Sequence, residues 1–463
     1  MSGNLFIEGA YCKKINRYVD NRGFLMELFR EFPNKQVNIS HSLPNVIRGI
    51  HAASYGKLLT CIHGSLTDYV VDLRPDSPTF LAWACVQLEL NDQLYIPAHC
   101  GHAFLSGSNG CTFVYAQEEV YSLEESKYYA WNDKIVSIPW PIQETPFIIS
   151  NTDKQSPSVS SLYPELNLKP RPKVLIIGAS GQLGQSLVKL FCDEERKRNF
   201  LCIGTYFRHK RNGCSQQLDM ESLDEMKAEF ILGSIRPLVV YICSALASAD
   251  VCEIEKEKAT KINTEGPMWI AKAANKVGSK VVYLSSDYVF DGQSSSYKES
   301  DTPHPINVYG KTKLDGENAV MRETFNNALI IRTHGIFGPD ASKNNFAYQV
   351  AEGRRNSVPC NQTGNPIDSR DLSEALFQLG TRLNVSGIVH VAGDTLYTRY
   401  QFALDILKYL NIESKVIPIK TSNNEGTPRP ILNGLDNSKF HSLIPNFKFR
   451  SLEQSFSDWN PLE

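Results

Sequence analysis

Three side chains in the second half of the sequence have the types and spacing that carbonyl reduction requires. Ser286, followed by Asp287, ends an apolar run of strand length that begins with VVYL. Tyr309 and Lys313 lie four residues apart in a segment with a helical pattern, so both share one helix face. A lysine ammonium beside a tyrosine favours the phenolate, so we expect the Tyr309 phenol, with an ordinary pKa of about 10, to exchange protons near neutral pH. The Tyr-x-x-x-Lys spacing alone is also typical of an exposed helix face, and the strand-end Ser-Asp pair is what favours catalysis.

A glycine-rich turn between a strand and a helix predicts a dinucleotide site. The buried-strand run at 174–177 leads into GASGQLG, and we predict that a helix begins near Gln185. Glycines allow a tight turn and close backbone approach, while the helix end offers free N–H groups and a positive dipole to a pyrophosphate. The predicted cofactor-binding residues of this turn are Gly178, Ser180, Gly181, Gln182, Leu183 and Gly184.

The end of the second predicted strand indicates which dinucleotide binds. An acid there would hold a ribose 2′-hydroxyl, but the sequence carries Arg208, Lys210 and Arg211 and no carboxylate. Fixed cations, arginine above all, suit a 2′-phosphate. We therefore expect NADPH rather than NADH, with a solvated basic loop as the alternative interpretation.

The second half alternates buried-strand runs with helical patterns, which is typical of a doubly wound parallel sheet. We predict an α/β Rossmann domain over 172–463, in which the residues from about 400 onward are irregular and close over the substrate. The predicted strands are 174–177, 201–206, 238–243, 281–284, 329–332 and 388–391, and the predicted helix that carries Tyr309 spans 305–323.

The first 150 residues predict an all-β domain. Short alternating or apolar runs are separated by Gly, Pro, Asn and Asp, and no long helical period interrupts them, which indicates a sandwich or a jelly-roll barrel. Residues 151–171 are rich in Ser, Pro and polar residues and offer little to pack, so we predict a linker there. The runs that read as strands include 57–62, 67–73, 82–88 and 112–116.

Composition excludes several classes of function. The 463 residues carry a net charge of -2, which predicts no nucleic-acid partner and no anionic membrane surface. No apolar run approaches the ~20 residues of a membrane span, and the amino terminus lacks a signal-peptide core. The eleven cysteines are scattered without CxxC pairing. We therefore expect no membrane association and a reducing, cytoplasmic location.

The motifs of the second half resemble dTDP-4-dehydrorhamnose reductase, an extended short-chain dehydrogenase. The resemblance rests on GASGQLG, SSDYVFDG, YGKTK, Asn263 and the Arg429-Pro430 pair. It implies that Ser286 polarises a ketone, Tyr309 protonates the developing alkoxide, and Lys313 binds the nicotinamide ribose and holds down the pKa of the tyrosine. It also implies that Asp219 lies on the adenine side of the cofactor and that Asp287, Tyr288 and Arg429 bind substrate.

The same segment resembles the regulatory beta subunit of methionine adenosyltransferase, which offers a non-enzymatic alternative. The hydroxyl, tyrosine and lysine set is compatible with both, so the first half of the chain must discriminate.

The first half resembles dTDP-4-dehydrorhamnose 3,5-epimerase, a cupin-like jelly roll. The resemblance is carried by DNRGFLME at 20–27, QVNIS at 36–40, IRGIH at 47–51, GHAF at 101–104, FVY at 113–115 and WND at 131–133. In a 4-keto-6-deoxyhexose both C3 and C5 are α to the ketone, so epimerisation needs a base, an acid on the opposite face and a cation near the enolate oxygen. The histidines show no close His-x-His with an acid partner, and we expect no metal site.

The resemblance assigns these roles residue by residue. It implies His51 as the base, Asp133 as the group that orients it, Tyr115 as the acid and Lys57 as the oxyanion stabiliser. It places nucleotide-binding and sugar-pocket positions at Arg22, Glu27, Gln36, Asn38, Arg48, His102 and Phe104.

Together the two halves predict a bifunctional 3,5-epimerase and NADPH-dependent 4-reductase that makes a nucleoside diphosphate (NDP) L-rhamnose. A separate 4,6-dehydratase must supply the sugar-nucleotide substrate, and the epimerase resemblance implies a homodimer. The alternatives are the regulatory subunit and an enzyme of neighbouring specificity that gives another 6-deoxyhexose. The choice between thymidine and uridine nucleotides stays open.

Overall fold

The chain folds into two compact units, Met1–Arg171 and Pro172–Glu463. The computed structural model describes all residues except 1–2, 5–6, 8, 21–22, 30–31, 78–79, 139, 141–144, 194–195, 197–198, 210, 212–213, 340–342, 422–425 and 460–463. No helix among the residues so described is long and apolar enough to cross a membrane.

The first unit is an all-β cupin-like jelly roll, as the sequence predicts. Its main sheet runs β1-β2-β9-β7-β10-β6-β11, with β5 added to β10, β8 to β7 and β12 to β6, while β3 and β4 form a separate hairpin. The strands are β1 (Gly3–Asn4), β2 (Tyr11–Lys14), β3 (Arg17–Asp20), β4 (Gly23–Met26), β5 (Gln36–Ser42), β6 (Val46–Ala53), β7 (Lys57–Asp72), β8 (Trp83–Leu88), β9 (Asp92–Ile96), β10 (Cys100–Gln117), β11 (Ser126–Tyr129) and β12 (Ile148–Ile149).

Two long antiparallel strands, β7 and β10, form the centre of this sheet. The runs predicted at 57–62 and 67–73 are one strand, because the chain passes through Gly64 without reversing. Gly64 and Gly110 both have positive φ, +69° and +71°, and a Cβ on Gly64 would lie 2.1 Å from the Gly110 carbonyl oxygen. Only glycine fits such an approach at this conformation, so the two residues form a bulge inside the paired strands.

The segment predicted as a linker is part of the first unit, and that prediction is wrong. Ser150 caps helix α1 (Asn151–Gln155) and Ser158 caps helix α2 (Val159–Leu162), each by accepting a backbone N–H in the first turn. A 3-10 helix follows at Pro164–Leu166. Val159 is fully buried in a core cluster of the barrel. The few apolar residues of this segment are therefore enough to dock it.

The second unit contains the predicted doubly wound sheet. Its strands are all parallel and lie in the order β15-β14-β13-β16-β17-β19-β24. Successive strands are added to one side of β13 and then to the other, as in dinucleotide-binding folds. These strands are β13 (Lys173–Ile177), β14 (Leu201–Tyr206), β15 (Cys214–Gln217), β16 (Val239–Ile242), β17 (Lys280–Ser286), β19 (Leu329–Thr333) and β24 (Gly387–His390).

Small sheets and helices complete the unit, and the segment beyond residue 400 is more regular than we expect from its sequence. The short strands are β18 (Gln293–Tyr297), β20 (Ile336–Phe337), β21 (Ser357–Pro359), β22 (Thr363–Gly364), β23 (Ile367–Asp368), β25 (Tyr397–Thr398), β26 (Ile417–Ile419) and β27 (Leu432–Leu435). The helices are α3 (Gln182–Phe191), α4 (Glu225–Ile235), α5 (Ala249–Ile254), α6 (Lys256–Thr260), a π-helix (Lys261–Glu265), α7 (Gly266–Lys276), a 3-10 helix (Asp287–Val289), α8 (Val308–Glu323), α9 (Phe346–Ala351), α10 (Ser369–Gly380), α11 (Arg399–Tyr409), α12 (Ser438–Leu443) and α13 (Leu452–Ser457).

Capping residues move two helix starts away from the predicted positions. Helix α3 begins at Gln182, not near Gln185, because Gly181 is its extended N-cap. Helix α8 begins at Val308, not at 305, because the Asn307 side chain accepts the N–H of Gly310 and ends the preceding loop.

Close packing at Gly316 of α8 generates a stability test. A Cβ there would lie 2.3 Å from the Asn263 carbonyl oxygen of the π-helix, so Gly316→Ala should lower the free energy of unfolding by about 1–3 kcal/mol. Gly233 of α4 has no atom within 4 Å of such a Cβ, so the control Gly233→Ala should stabilise by about 0.5–1 kcal/mol. Denaturant titration of both variants measures this, and an unchanged midpoint for Gly316→Ala would show looser packing than we describe.

Candidate active sites

A polar pocket lies inside the barrel of the first unit. Its lining comes from strands β5, β6, β7, β10 and β11 and from the loop that carries Tyr121. Six residues predicted from the sequence meet there, namely Arg48, His51, Lys57, His102, Phe104 and Tyr115. The pocket also contains side chains that the sequence analysis missed, namely Ser40, Phe113, Gln117, Tyr121, Ser126 and Tyr128.

His51 is held by a carboxylate that the sequence analysis did not select. Strand pairing sets His51 between His102 of β10 and Tyr128 of β11. Its Nε2 lies 2.6 Å from Oδ1 of Asp153, in α1. The carboxylate can only accept, so the proton belongs on Nε2 and Nδ1 keeps the lone pair that a general base needs. Gly49 makes room for this contact, because a Cβ there would lie 3.0 Å from the same oxygen.

Asp133 does not orient His51, and that prediction is wrong. Its Oδ1 accepts the backbone N–H groups of Ile135 and Val136 at 2.8 and 3.0 Å. Its Oδ2 accepts the N–H of Val159 at 2.8 Å. Both oxygens are thus used to fix the turn after β11 and the start of α2, so the role of Asp133 is structural.

The charge of Asp153 is stabilised by the contacts that position it. Burial would raise the pKa of this carboxyl, but hydrogen bonds from His51, the Gly49 amide and the Ser150 hydroxyl outweigh burial and hold the pKa below its ordinary value. The signal in the sequence is the pattern Ser150-Asn-Thr-Asp153, which starts a capped helix. The polar composition of residues 151–171, which is typical of a linker, masks this signal.

A second histidine and carboxylate pair stands next to Lys57. His102 Nδ1 lies 3.1 Å from Oδ2 of the fully buried Asp68. Burial lowers the pKa of His102 despite this partner, which keeps the imidazole neutral. Burial also lowers the pKa of Lys57 to about 8, while Asp68 opposes that shift. Asp68, another residue missed from the sequence, therefore supplies the negative charge that keeps Lys57 cationic below that pH.

Tyr115 is suited to donate a proton. Burial raises the pKa of its phenol, and the nearby Arg48 opposes the shift. The phenol is therefore protonated near neutral pH. Two further hydroxyls lie in the pocket, those of Tyr121 and Tyr128, and their oxygens are 3.0 Å apart.

The predicted nucleotide-binding residues have different outcomes. Arg22 lies outside the described residues, and Glu27 is exposed. Gln36 donates to Asn38 Oδ1 at 2.9 Å, and Asn38 donates to the pocket residue Gln117 at 3.0 Å. Arg48 is fixed at the pocket wall by the Ser42 hydroxyl at 3.2 Å. The roles of these residues in nucleotide binding stay predictions.

The second site is built where β17 and α8 meet. Lys313 is almost fully buried, and its ammonium donates to the Leu284 carbonyl oxygen at 2.7 Å and lies 4.0 Å from the centre of the Tyr283 ring. Burial lowers the pKa of Lys313 to about 7. Burial raises the pKa of Tyr309, although a hydrogen bond with Ser286 opposes this shift. The net shift of the Tyr309 pKa is therefore upward, opposite to the direction that we expect from a neighbouring lysine, and Tyr309 is a protonated phenol.

Asp287 links Ser286 to two side chains that the sequence analysis missed. The Ser286 hydroxyl donates to Oδ1 of Asp287 at 2.9 Å. Oδ2 of the same carboxylate lies 2.6 Å from Nδ1 of His334 and accepts from Asn433 at 2.5 Å. The carboxylate predicted to bind substrate is thus already held on both oxygens, and it positions the serine hydroxyl.

The glycine-rich turn has the geometry that a dinucleotide requires. Gly178 has a φ of +80°, and a Cβ on Gly184 would lie 2.2 Å from the Gly178 carbonyl oxygen. Gly181 precedes α3 without a side-chain cap, so the first N–H groups of the helix are available to a phosphate. Leu183 is buried in the core, so only its backbone can face a ligand. The turn therefore fits the pyrophosphate of a dinucleotide cofactor.

The basic residues after β14 are described only in part. Arg208 is exposed and lies 5.0 Å from the centre of the Phe207 ring. Arg211 is half-buried, and Lys210 lies outside the described residues. Asp219 accepts the Glu221 N–H at 3.0 Å and is half-buried. Contact of these residues with a cofactor stays a prediction.

Comparison with known proteins places both units in families. Residues 172–457 match the family profile described as the RmlD substrate binding domain, over more than half of the chain. The chain belongs to this RmlD family. Residues 4–161 match the family profile of dTDP-4-dehydrorhamnose 3,5-epimerase, and this range contains both His51 and Asp153. The RmlD-family half is therefore fused to an epimerase-family half.

Individual relatives match the RmlD-family half. Methionine adenosyltransferase 2 subunit beta of Xenopus laevis is 32% identical over 286 residues, which are 59% of this chain and 83% of that protein. The dTDP-4-dehydrorhamnose reductase of Aggregatibacter actinomycetemcomitans is 33% identical over 244 residues, 50% of this chain and 78% of that protein. A crystal structure of dTDP-4-dehydrorhamnose reductase from Bacillus anthracis str. Ames in complex with NADP is 28% identical, with a TM-score of 0.55, and covers 62% of this chain and 98% of that one.

Two equally buried aspartates test the assignment in the epimerase-family half. Asp153→Asn would present an amide N–H to Nε2 of His51 and move the imidazole proton to Nδ1. Solvent-deuterium exchange at C3 and C5 of a 4-keto-6-deoxyglucose nucleotide should then fall about 10²–10⁴-fold. In the control, Asp133→Asn, an acceptor for the Val159 N–H is lost, which should cost about 1–3 kcal/mol of stability but leave exchange by the folded protein near wild type. Mass spectrometry of the sugar measures exchange in both variants. Loss of exchange in Asp133→Asn but not in Asp153→Asn would instead assign the orienting role to Asp133.

Proposed function

We propose that the chain converts an NDP-4-keto-6-deoxyglucose into NDP-L-rhamnose in two steps. The epimerase-family half would invert C3 and C5, and the RmlD-family half would reduce the C4 ketone with NADPH. The observation that carries the proposal is the presence, in one chain, of a base and acid pocket in the first unit and a Ser286, Tyr309 and Lys313 site in the second.

Epimerisation would use the barrel pocket as follows. Nδ1 of His51 removes the proton from C3 or C5, while Asp153 stabilises the imidazolium that forms. Lys57 stabilises the negative charge that develops on the C4 oxygen of the enolate. The protonated phenol of Tyr115 returns a proton to the opposite face of the ring, which inverts the centre. The ketone is preserved, so the product can undergo the next step.

Reduction would use the second site. The residues that would hold the cofactor are those of the Gly178–Gly184 turn, with Arg208 and Arg211 near a 2′-phosphate, and bound NADPH supplies the hydride. The Ser286 hydroxyl, which donates to Asp287 in the absence of substrate, would turn its single O–H to the C4 oxygen, and the Tyr309 phenol would donate the proton that this oxygen needs as its charge develops. Lys313 would contact the nicotinamide ribose. The B. anthracis reductase structure with NADP supports the choice of cofactor.

The setting of the reaction is part of the proposal. A 4,6-dehydratase acting on an NDP-glucose would supply the substrate, and the location would be cytoplasmic. A homodimer of the epimerase-family half is favoured by exposed apolar side chains on two of its strands, among them Phe24 of β4 at 50% and Ile39 of β5 at 72% exposure.

A regulatory role is the second candidate, because the RmlD-family half is about as similar to methionine adenosyltransferase 2 subunit beta as to a reductase, 32% against 33% identity. The epimerase-family half favours the enzyme, since a binding subunit has no need of a second site with paired His and Asp residues. Binding of NADPH without its oxidation, together with co-purification of an adenosyltransferase, would support regulation instead.

The direct test supplies the purified chain with dTDP- and UDP-4-keto-6-deoxyglucose and NADPH, then follows absorbance and identifies the sugar product. We expect NADPH oxidation with at least one nucleotide and a 6-deoxy-L-mannose product. No oxidation with either nucleotide would contradict the reductase function, and a different hexose would assign a neighbouring specificity.

Single substitutions should separate the two activities. We expect His51→Ala to abolish deuterium uptake at C3 and C5, because the imidazole nitrogen that would accept the proton is removed. We expect Tyr309→Phe to leave that exchange intact and to reduce NADPH oxidation about 10²–10⁴-fold, because the proton donor is lost. Wild-type exchange in His51→Ala would show that another group is the base.

A further inference from the structure

Two arginines of the RmlD-family half lie near the same aromatic ring. The guanidinium carbons of Arg355, just after α9, and Arg399, the first residue of α11, lie 5.7 and 5.6 Å from the centre of the Phe346 ring. Phe346 itself stacks on Phe402 at 5.6 Å with an interplanar angle of 13°. Both guanidinium groups therefore lie near a ring that is itself packed against a second ring.

No carboxylate of the described residues lies within ion-pairing distance of this pair of arginines. Neither Arg355 nor Arg399 forms an ion pair with any acidic side chain in the described part of the chain, although both are half-buried. Two like charges held close together and partly desolvated repel each other. An arrangement of this kind is stable when an anion binds between the cations.

A third guanidinium connects the pair to the reduction site. Thr363 of β22 pairs with Thr398, the residue before Arg399, and with Leu432, three residues after Arg429, so the fold brings these two arginines to neighbouring positions. In agreement with this, burial and then the charges of Arg399 and Arg429 lower the pKa of Arg355. Arg429 donates to Oδ2 of Asp250 at 2.7 Å and hydrogen-bonds the Tyr288 side chain. The Tyr288 ring lies 5.5 Å from the Tyr309 ring. The cluster therefore borders the proposed proton donor.

The chemistry of the cluster points to a diphosphate. Planar guanidinium groups bind phosphate oxygens through two parallel N–H donors, and a diphosphate spreads two or more charges over a span that several arginines can contact. The cofactor's pyrophosphate is assigned to the turn before α3, and neither Arg355 nor Arg399 belongs to that turn. The anion near Tyr288 is then the one attached to the sugar that is reduced.

We propose that Arg355 and Arg399, together with Arg429, bind the diphosphate of the sugar nucleotide in the RmlD-family half. The inference rests on the proposed function and extends it to residues outside the Ser286, Tyr309 and Lys313 set. The arginines place the nucleotide so that the sugar beyond the diphosphate reaches Tyr309. They contribute binding energy and position, and they take no part in proton transfer.

The kinetic test uses Arg355→Gln, Arg399→Gln and the double variant in the full chain, with Arg354→Gln as control. Arg354 is adjacent in sequence, exposed, and paired with Glu352 at 2.5 Å. For the epimerised ketone, each single variant should raise KM roughly 10- to 100-fold, the loss expected for a hydrogen bond to a charged group. KM for NADPH should stay within about twofold of wild type, and Arg354→Gln should match wild type in both values. A rise in KM for NADPH instead would assign the cluster to the cofactor and overturn the proposal.

A binding measurement separates this proposal from the proposed catalytic function. Calorimetric titration with UDP and with dTDP should give two sites per wild-type chain, one in each half, and one site in the double variant, whether or not the chain oxidises NADPH. Arg355→Lys with Arg399→Lys keeps the charge but loses the paired donors, so KM should fall between the wild-type and Gln values. Two nucleotide sites in a folded double variant, or an unchanged KM for the ketone, would overturn the proposal.

Discussion

The burial of Lys313 is the constraint on which the geometry of the RmlD-family half depends. Its ammonium can be taken out of water only because the Leu284 carbonyl oxygen and the Tyr283 ring receive it. For that contact α8 must lie close to the neighbouring backbone, which the absence of a side chain at Gly316 permits. The lysine, the tyrosine one turn before it and the end of β17 are then fixed relative to one another.

A buried ion pair also stabilises the contact between β17 and α8. Arg332 of β19 donates to both carboxylate oxygens of Glu317, at 2.9 and 2.7 Å, and the Ser285 hydroxyl donates to Glu317 at 2.5 Å. Each charge has a partner, so removal of one would leave the other uncompensated in the interior. This pair ties β17, β19 and α8 together next to the residues that carry out the chemistry.

In the epimerase-family half, buried carboxylates hold the functional side chains in place. Asp68 and Asp153 are buried, and each contacts one histidine of the pocket. The two imidazoles thereby occupy different environments, since His51 is held for proton transfer while burial keeps His102 neutral. In both halves, desolvation sets which group carries a proton, and a few fixed partners set where that proton lies.

Local patterns in the sequence were sufficient for most of the architecture. The strand predicted at 201–206 is β14 residue for residue, and the glycine turn, the Ser286 strand end and the Tyr309 helix lie where the motifs place them. These features depend on neighbours in sequence, such as strand length, glycine conformation and helical spacing. The family resemblances of both halves were likewise readable from short motifs.

Such local patterns do not predict contacts between residues that are far apart in the sequence. His51 and Asp153 are 102 positions apart, and the carboxylate lies in a polar segment whose single well-buried apolar residue, Val159, gives little sign of packing. The Tyr309 pKa was misjudged for a related reason. Spacing shows that a lysine is near, but it does not show how deeply both groups are buried, and burial dominates the shift. Asn433 and His334 reach Asp287 only through the tertiary fold.

Under the proposed function, two independent active sites in one chain act in succession on one sugar nucleotide. A complementation assay tests it most directly, in which His51→Ala and Tyr309→Phe proteins are incubated separately and together with the 4-keto-6-deoxyglucose nucleotide and NADPH. Each variant alone should form almost no NDP-L-rhamnose, and the mixture should restore it, because the epimerised ketone made by one protein is reduced by the other. If the wild-type chain is active and the mixture stays as inactive as each variant, the account of two separate and successive sites is contradicted.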